Sequence, residues 1–235
     1  MLIGEKGIKK LLRSKVIVFG VGGVGSFVVE ALARAGVGYL VLVDPDMIEV
    51  TNINRQLPAL FSTVGKYKVD VLKDRIRDIN PQAVVEIFRE EVTAENVNGY
   101  IESNISYVVD AIDAVKSKLA IIEESLNINI PIISAMGAGN RLDPSKFKIG
   151  DISETSCCPL ARIMRKELRK RGIESGIKVV YSTEIPVNTF LSNDSVEEEI
   201  DNKSKSIRQI TSISFMPSVA GLLMAGCVVN DLLNN

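Results

Sequence analysis

Residues 16–56 read VIVFGVGGVGSFVVEALARAGVGYLVLVDPDMIEVTNINRQ, and this stretch decides the fold. The apolar run 16–19 has the character of a buried strand and ends in Gly20-x-Gly22-Gly23-x-Gly25. An amphipathic segment over 25–35 follows, then a second apolar run over 39–43 that stops at Asp44. Strand, glycine turn, helix, strand and carboxylate is the order that cradles the phosphates and ribose of a nucleotide. Gly20 is expected to make the tight turn, Gly22 to let backbone approach phosphate, and Gly25 to let the helix pack closely on the sheet. The helix start offers unpaired N–H groups and the positive end of its dipole to an anion. Asp44 stands about twenty residues beyond the glycines, where a carboxylate reaches ribose hydroxyls. The strand–helix–strand context distinguishes this run from a bare tight turn, and the glycines alone suit a dinucleotide.

Outward from this unit, strand and helix patterns alternate, which implies a Rossmann-like α/β fold with a mostly parallel sheet covered by helices on both faces. Helices are expected over 8–12, 65–80, 115–126, 159–171 and 215–233, and strands over 83–88, 107–110, 130–134 and 178–182. Residues 16–140 form the nucleotide-binding half of one domain spanning 1–235, and a less regular C-terminal part completes it. Residues 191–206 (LSNDSVEEEIDNKSKS) have no apolar periodicity and are expected to form a mobile loop.

Apolar residues make up 46% of the chain and aromatics 5%, so the core must come from Val, Ile, Leu and Ala. The net charge of −1 gives no bulk attraction to nucleic acid, so any basic surface must be local. There is no histidine, which excludes a His base and His-ligated metal. The three cysteines form no C-x-x-C pair, so no zinc is expected, and their low, odd count fits a reduced cytoplasm. Residues 1–12 are charged and amphipathic, unlike a signal peptide, and the apolar run 219–229 is too short to span a bilayer. It is expected to be a core helix, with no transmembrane segment.

The segment after the second strand separates the possible nucleotides. Asp44, Asp46, Asn52 and Arg55 lie close together, and Lys66 and Lys68 follow near the next helix. A dehydrogenase needs only the first carboxylate, whereas a triphosphate needs cations near its terminal phosphates, which Arg55 and Lys68 can supply.

GxGGxG, the D-x-D…N-x-x-R-Q run, G-x-x-K and Asp110-Ala-Ile-Asp113 together resemble the adenylation domain of the ubiquitin-activating-enzyme-like superfamily. The resemblance implies ATP and Mg²⁺. Asp44 then binds ribose, Asn52 and Arg55 contact phosphates, Lys68 stabilises charge on the transferring phosphoryl group, and Asp113 holds Mg²⁺. Gly20, Gly22, Gly23, Gly25 and Asp46 belong to the same nucleotide site. Arg55, Lys68 and Asp113 are the catalytic candidates. Such chemistry needs positioned cations and no protein nucleophile.

A closer resemblance covers nearly the whole chain. VTNINRQ, DAIDAVKSK, ISAMGAGNRLDPSKF, CPLARIMRKELRKRGI and VVYSTE are similar to the tRNA threonylcarbamoyladenosine dehydratase branch. This implies adenylation of the threonyl carboxylate beside the anticodon. The carbamoyl group then displaces AMP and closes a ring, with high effective molarity replacing an enzyme thiol. Ala114 and Lys118 follow this branch, whereas members that activate small proteins show Asn and Arg there and often two C-x-x-C pairs. The superfamily's arginine before the first helix, which reaches the phosphates of the partner subunit, is missing from Met-Leu-Ile-Gly. A homodimer is implied, with that contact weakened.

Arg162, Arg165, Lys166 and Arg169 recur on one helical face, opposite Leu160, Met164 and Leu168, and are the expected tRNA surface. Cys157 and Cys158 are expected to be structural and Cys227 to lie in the core. Gly137-Ala-Gly139-Asn140-Arg141 is expected to shape the substrate entrance. Rival readings are an adenylyltransferase for a small sulfur-carrier protein, and a non-catalytic nucleotide-binding partner of a cysteine desulfurase system. An NAD oxidoreductase would explain neither Arg55 nor Lys68.

Overall fold

The computed structural model describes residues 2–187 and 210–234, so the loop expected over 191–206 lies outside the described residues. Among the described residues six α-helices and seven strands, linked in places by short 3-10 turns, begin in the order α1 (Gly4–Arg13), β1 (Lys15–Phe19), α2 (Gly25–Ala35), β2 (Tyr39–Val43), α3 (Lys68–Ile79), β3 (Val84–Phe88) and β4 (Tyr107–Asp110). They continue with α4 (Val115–Asn127), β5 (Ile132–Ala135), β6 (Phe147–Asp151), α5 (Pro159–Arg169), β7 (Lys178–Ser182) and α6 (Phe215–Asn234).

The strands form one sheet in the order β3-β2-β1-β4-β5-β7-β6, parallel except that β6 runs antiparallel to β7. The order reverses between β1 and β4, which pair with Ile17 opposite Val108 and Phe19 opposite Asp110. A crevice opens at such a reversal beyond the carboxyl ends of the two strands, where open α/β sheets bind ligands. The central strands are apolar along most of their length because both faces are covered, with Asp110 at the end of β4 and Ser134 in β5 as buried polar exceptions. One core packs Val28 and Leu32 of α2, Leu72 and Ile76 of α3 and Met224 and Val228 of α6 against the sheet. The other packs Leu119 and Ile122 of α4 with Ala161, Met164 and Leu168 of α5.

Local chemistry moved several boundaries. α3 begins at Lys68, later than expected, because Gly65 turns at φ +82° and Tyr67 bridges back to Met47. β5 begins at Ile132 because Pro131 has no N–H and the Ile130 N–H caps α4 at the Ser125 carbonyl. α2 stops where Gly36 adopts φ +91°, a left-handed cap. The edge strand β6 is an addition to the expected set; its exposed Lys148 and its Gly150 hide it from an apolar pattern. α6 is long and apolar enough, by length and composition, to cross a membrane. It nevertheless packs on α2, where a Cβ on Gly221 would lie 2.4 Å from the Val24 carbonyl oxygen. It is a core helix.

Candidate nucleotide site

β1 delivers the chain to the crevice and the glycine turn reverses it. Gly20 has φ +79°, donates its N–H to the Val43 carbonyl at 2.8 Å, and would place a Cβ 2.9 Å from the Ala111 carbonyl oxygen. At Gly25 a Cβ would stand 1.8 Å from the carbonyl oxygen of Gly20. Its requirement is therefore closure of the turn on itself, more than packing of α2 on the sheet. Gly23 lies against Pro217 of α6 and the stem of Arg55, at 3.1 and 3.5 Å from its hypothetical Cβ. Above Gly22 there is open space apart from the Gln56 amide at 3.6 Å, so the backbone there is free to meet an anion. The first turn of α2 carries no acidic side chain to compete for its N–H groups.

Asp44 follows β2 and is 5% exposed. Its carboxylate accepts the Val21 N–H at 2.7 Å and the Asp46 N–H at 2.9 Å, so it also braces the glycine turn. Burial pushes its carboxyl above the usual range, opposed by the Lys68 charge and these two N–H bonds. Lys68 opens α3 with Nζ 2.6 Å from Asp46 and 3.9 Å from Asp44, and its side chain is 6% exposed. Two carboxylates thus hold one ammonium beside the turn.

A short 3-10 turn, Val50–Asn52, orients the next group. Buried Asn52 accepts the Glu49 N–H at 3.1 Å. Arg55 Nη1 donates to the Thr51 carbonyl at 2.9 Å and to Asn54 Oδ1 at 3.0 Å. Gln56, to which the sequence assigned no role, is 8% exposed, and its buried Oε1 has no partner among the described residues. An unpaired buried acceptor beside a phosphate turn suits a ligand that brings donors.

Across the crevice, Asp110 ends β4 fully buried, whereas Asp113 is exposed and makes no hydrogen bond or ion pair among the described residues. No group of three or more ligating side chains occurs among the described residues. That arrangement suits an ion that takes one carboxylate and completes its shell from phosphates and water. The structure therefore gathers the four glycines with Asp44, Asp46, Arg55 and Lys68 and brings the Asp110–Asp113 loop against Gly20, while the Asn52 side chain caps its own 3-10 turn.

Beyond β5, Arg141 is buried and bent back on its own loop. It donates to the Gly137 and Gly139 carbonyls, and Nε reaches the Glu184 carbonyl at 3.3 Å. The Glu184 carboxylate accepts the N–H groups of Leu142 and Asp143. Arg141 rigidifies the expected entrance.

On α5, Arg162, Lys166 and Arg169 are exposed and outside any ion pair among the described residues, while Ala161, Met164 and Leu168 are buried and Leu160 is half-buried. Arg165 departs from the open face: Nη1 donates to the Thr155 carbonyl at 2.8 Å and to its hydroxyl. Lys170 and Arg171 are partly neutralised by Glu167 and Glu123. Cys158 lies in the core, but Cys157 is exposed at φ +57°, so only the former is structural in the expected sense. Cys227 is half-buried on α6.

The reversal crevice, glycine turn and flanking cations define a nucleotide-binding protein of the doubly wound α/β class. The chain belongs to the ThiF family, whose model matches residues 1–235. It is 46% identical over 239 residues to the tRNA threonylcarbamoyladenosine dehydratase of Bacillus subtilis (strain 168), covering 100% of this chain and 93% of that protein. It is 40% identical over 190 residues to the Escherichia coli (strain K12) protein of the same name, covering 78% and 71%. The crystal structure of an E. coli tRNA N6-threonylcarbamoyladenosine dehydratase in complex with ATP matches with TM-score 0.86 and 32% identity, over 99% of this chain and 91% of that one.

Proposed function

We propose that this chain is an ATP-dependent dehydratase that cyclises threonylcarbamoyladenosine next to the anticodon of tRNA. The observation that carries the reading is the pair of cations at the glycine turn: Lys68 held between two carboxylates, and Arg55 with its stem across Gly23. A carboxylate oxygen of the threonyl group attacks the α-phosphorus of ATP, and the bond to pyrophosphate breaks. The carbamoyl nitrogen or oxygen then attacks the acyl carbon, AMP leaves and one proton is lost. The modified nucleoside has lost the elements of water.

Asp44 accepts from the ribose, Asn52 and Arg55 bind phosphate, and Lys68 neutralises charge that grows as pyrophosphate departs. Asp113 would hold Mg²⁺, which supplies further neutralisation of phosphate oxygens when bound. No thiol or imidazole is required, which accords with a chain that has no histidine. The reading places the protein in the cytoplasm with its tRNA and ATP. Exposed Met47, Val50, Leu60, Phe61 and Val64, on the stretch beside Lys68, support a homodimer. Supply through a cysteine desulfurase system has no such support and is set aside. The test is incubation with ATP and modified tRNA followed by nucleoside mass spectrometry; an unchanged nucleoside mass refutes the proposal.

Asp44 sets a pH dependence. Its folded pKa is raised above the unfolded value, so its proton uptake favours the folded state as pH falls, a contribution lost as pH rises through the raised value. Nucleotide binding runs the other way, because the ribose needs the ionised acceptor. AMP affinity is expected to weaken on acidification from pH 7, above the usual carboxylate range. In Asp44→Asn the weakening should be smaller, since phosphate titration is common to both proteins. Parallel pH profiles by calorimetry would contradict the assignment.

For the RNA surface, Arg162→Glu combined with Arg169→Glu is expected to cut tRNA affinity at least about tenfold at moderate salt. The slope of log affinity against log salt should flatten by about 2. AMP binding should stay unchanged. Undiminished tRNA binding would place the interface elsewhere.

A further inference from the structure

Three polar side chains beneath the loop after β4, Asp110, Lys118 and Ser134, are sealed from water. Asp110 and Lys118 are both 0% exposed, with Nζ 2.8 Å from Oδ2. Lys118 Nζ also donates to the Ile112 carbonyl at 3.0 Å, and the Ile112 N–H donates to Asp110 Oδ1 at 3.2 Å. Ser134 Oγ, from β5, donates to Asp110 Oδ2 at 2.6 Å. One ion pair therefore grips the loop by both its amide and its carbonyl. On its other side the loop meets the glycine turn, since a Cβ on Gly20 would come within 2.9 Å of the Ala111 carbonyl oxygen, and one on Gly25 within 3.2 Å of the Ala111 Cβ.

Desolvation consumes most of the attraction within a fully buried ion pair, and apolar side chains of similar volume often stabilise as well or better. What this pair supplies that apolar packing would not is a fixed position for two backbone groups. We propose that Asp110, Lys118 and Ser134 are positioning residues, a buried strut that sets residues 111–113 against the glycine turn and so presents Asp113 to the metal of a bound metal–ATP complex. Lys118 never reaches the crevice and acts only through the loop. The proposal rests on the reading of the crevice as an ATP site, and its test is built so that the two can fail separately.

Asp110→Asn combined with Lys118→Met removes both charges and leaves Ser134 an acceptor. Hydrogen exchange at the Ala111 and Ile112 amides, measured without nucleotide, is expected to quicken at least tenfold. Mn²⁺ affinity of the ATP complex, followed by electron paramagnetic resonance, should fall at least tenfold, while AMP affinity without metal stays within threefold. Native exchange rates in the folded double variant overturn the proposal, and so does faster exchange with native Mn²⁺ affinity. Loss of AMP affinity in step with Mn²⁺ affinity also overturns it, because that marks general damage. If the double variant does not fold, Ser134→Ala carries the same test, with shifts of about threefold expected and native values overturning it. Asp113→Ala should weaken Mn²⁺ binding and leave exchange at 111 and 112 unaltered. Native Mn²⁺ affinity there would count against the metal reading of Asp113, and the exchange rates would still judge whether the strut holds the loop.

Discussion

Lys68→Met is expected to lower the rate of adenylate formation about 10²–10³-fold at saturating ATP, the range for removing one preorganised group that meets developing charge. AMP affinity, measured at a pH where Asp44 is ionised in the variant as well, should stay within about threefold, because the ammonium matters most as pyrophosphate leaves. The charge is prepositioned: Nζ sits 2.6 Å from Asp46 and 3.9 Å from Asp44, on a side chain only 6% exposed. Little reorganisation remains to be done when the phosphorus is attacked. Lys68→Arg should rescue poorly, since a planar fork cannot replace a compact ammonium between two carboxylates. ATP–pyrophosphate exchange with modified tRNA measures the effect. Exchange within tenfold of the parent in Lys68→Met would remove the residue from the chemistry.

The second large effect is on folding. In Gly25→Ala the new Cβ would sit 1.8 Å from the Gly20 carbonyl oxygen, and only backbone movement can relieve that. A loss of about 3 kcal/mol is expected, the upper part of the overpacking range, with Tm lower by about 6–12 °C for a domain of this size. Gly36→Ala, at φ +91° with open space around it, should cost about 1 kcal/mol. Gly22→Ala makes the informative contrast. Its Cβ finds only the Gln56 amide at 3.6 Å, so Tm should hardly move, yet the methyl fills the approach to the turn and nucleotide affinity should fall at least tenfold. Thermal unfolding and AMP calorimetry on the three variants separate closure of the turn from binding. Equal Tm losses in Gly22→Ala and Gly25→Ala would refute the distinction.

The central strands, the glycine turn and its helix were legible in the sequence because apolar runs and glycines record burial and positive φ locally. Strand β7 was read at its observed bounds for the same reason. β6 was not, because an edge strand with one solvent-facing side carries only a weak apolar signal. Asp44 is suggested by its distance from the glycines, whereas Arg55 and Lys68 are suggested by the need of a triphosphate for cations, and only the family resemblance separates Lys68 from Lys66. The Asp110–Lys118 pair was missed, although a signal existed: Lys118 falls in register with Ile121, Ile122 and Ser125 on the buried stripe of α4. A lysine on an apolar stripe demands an internal anion, and Asp110 is the carboxylate at the end of an adjoining buried strand. Gln56 left no such trace, because its orphaned oxygen is defined by what surrounds it in space. Arg165 was grouped with its neighbours by helical period, which does not show that Thr155 claims its guanidinium.

The wall of the nucleotide turn is made by the other end of the chain. Pro217 of α6 lies against Gly23, and Gly221 seats α6 on Val24. During synthesis the glycine turn leaves the ribosome long before α6, the helix that backs it. Local strand and helix pairs can form early, but a contact between residues so far apart in sequence must await synthesis of α6. A chain synthesised only as far as α5, or nicked between α5 and α6, would therefore carry the complete nucleotide-binding motif and still lack the wall that backs it.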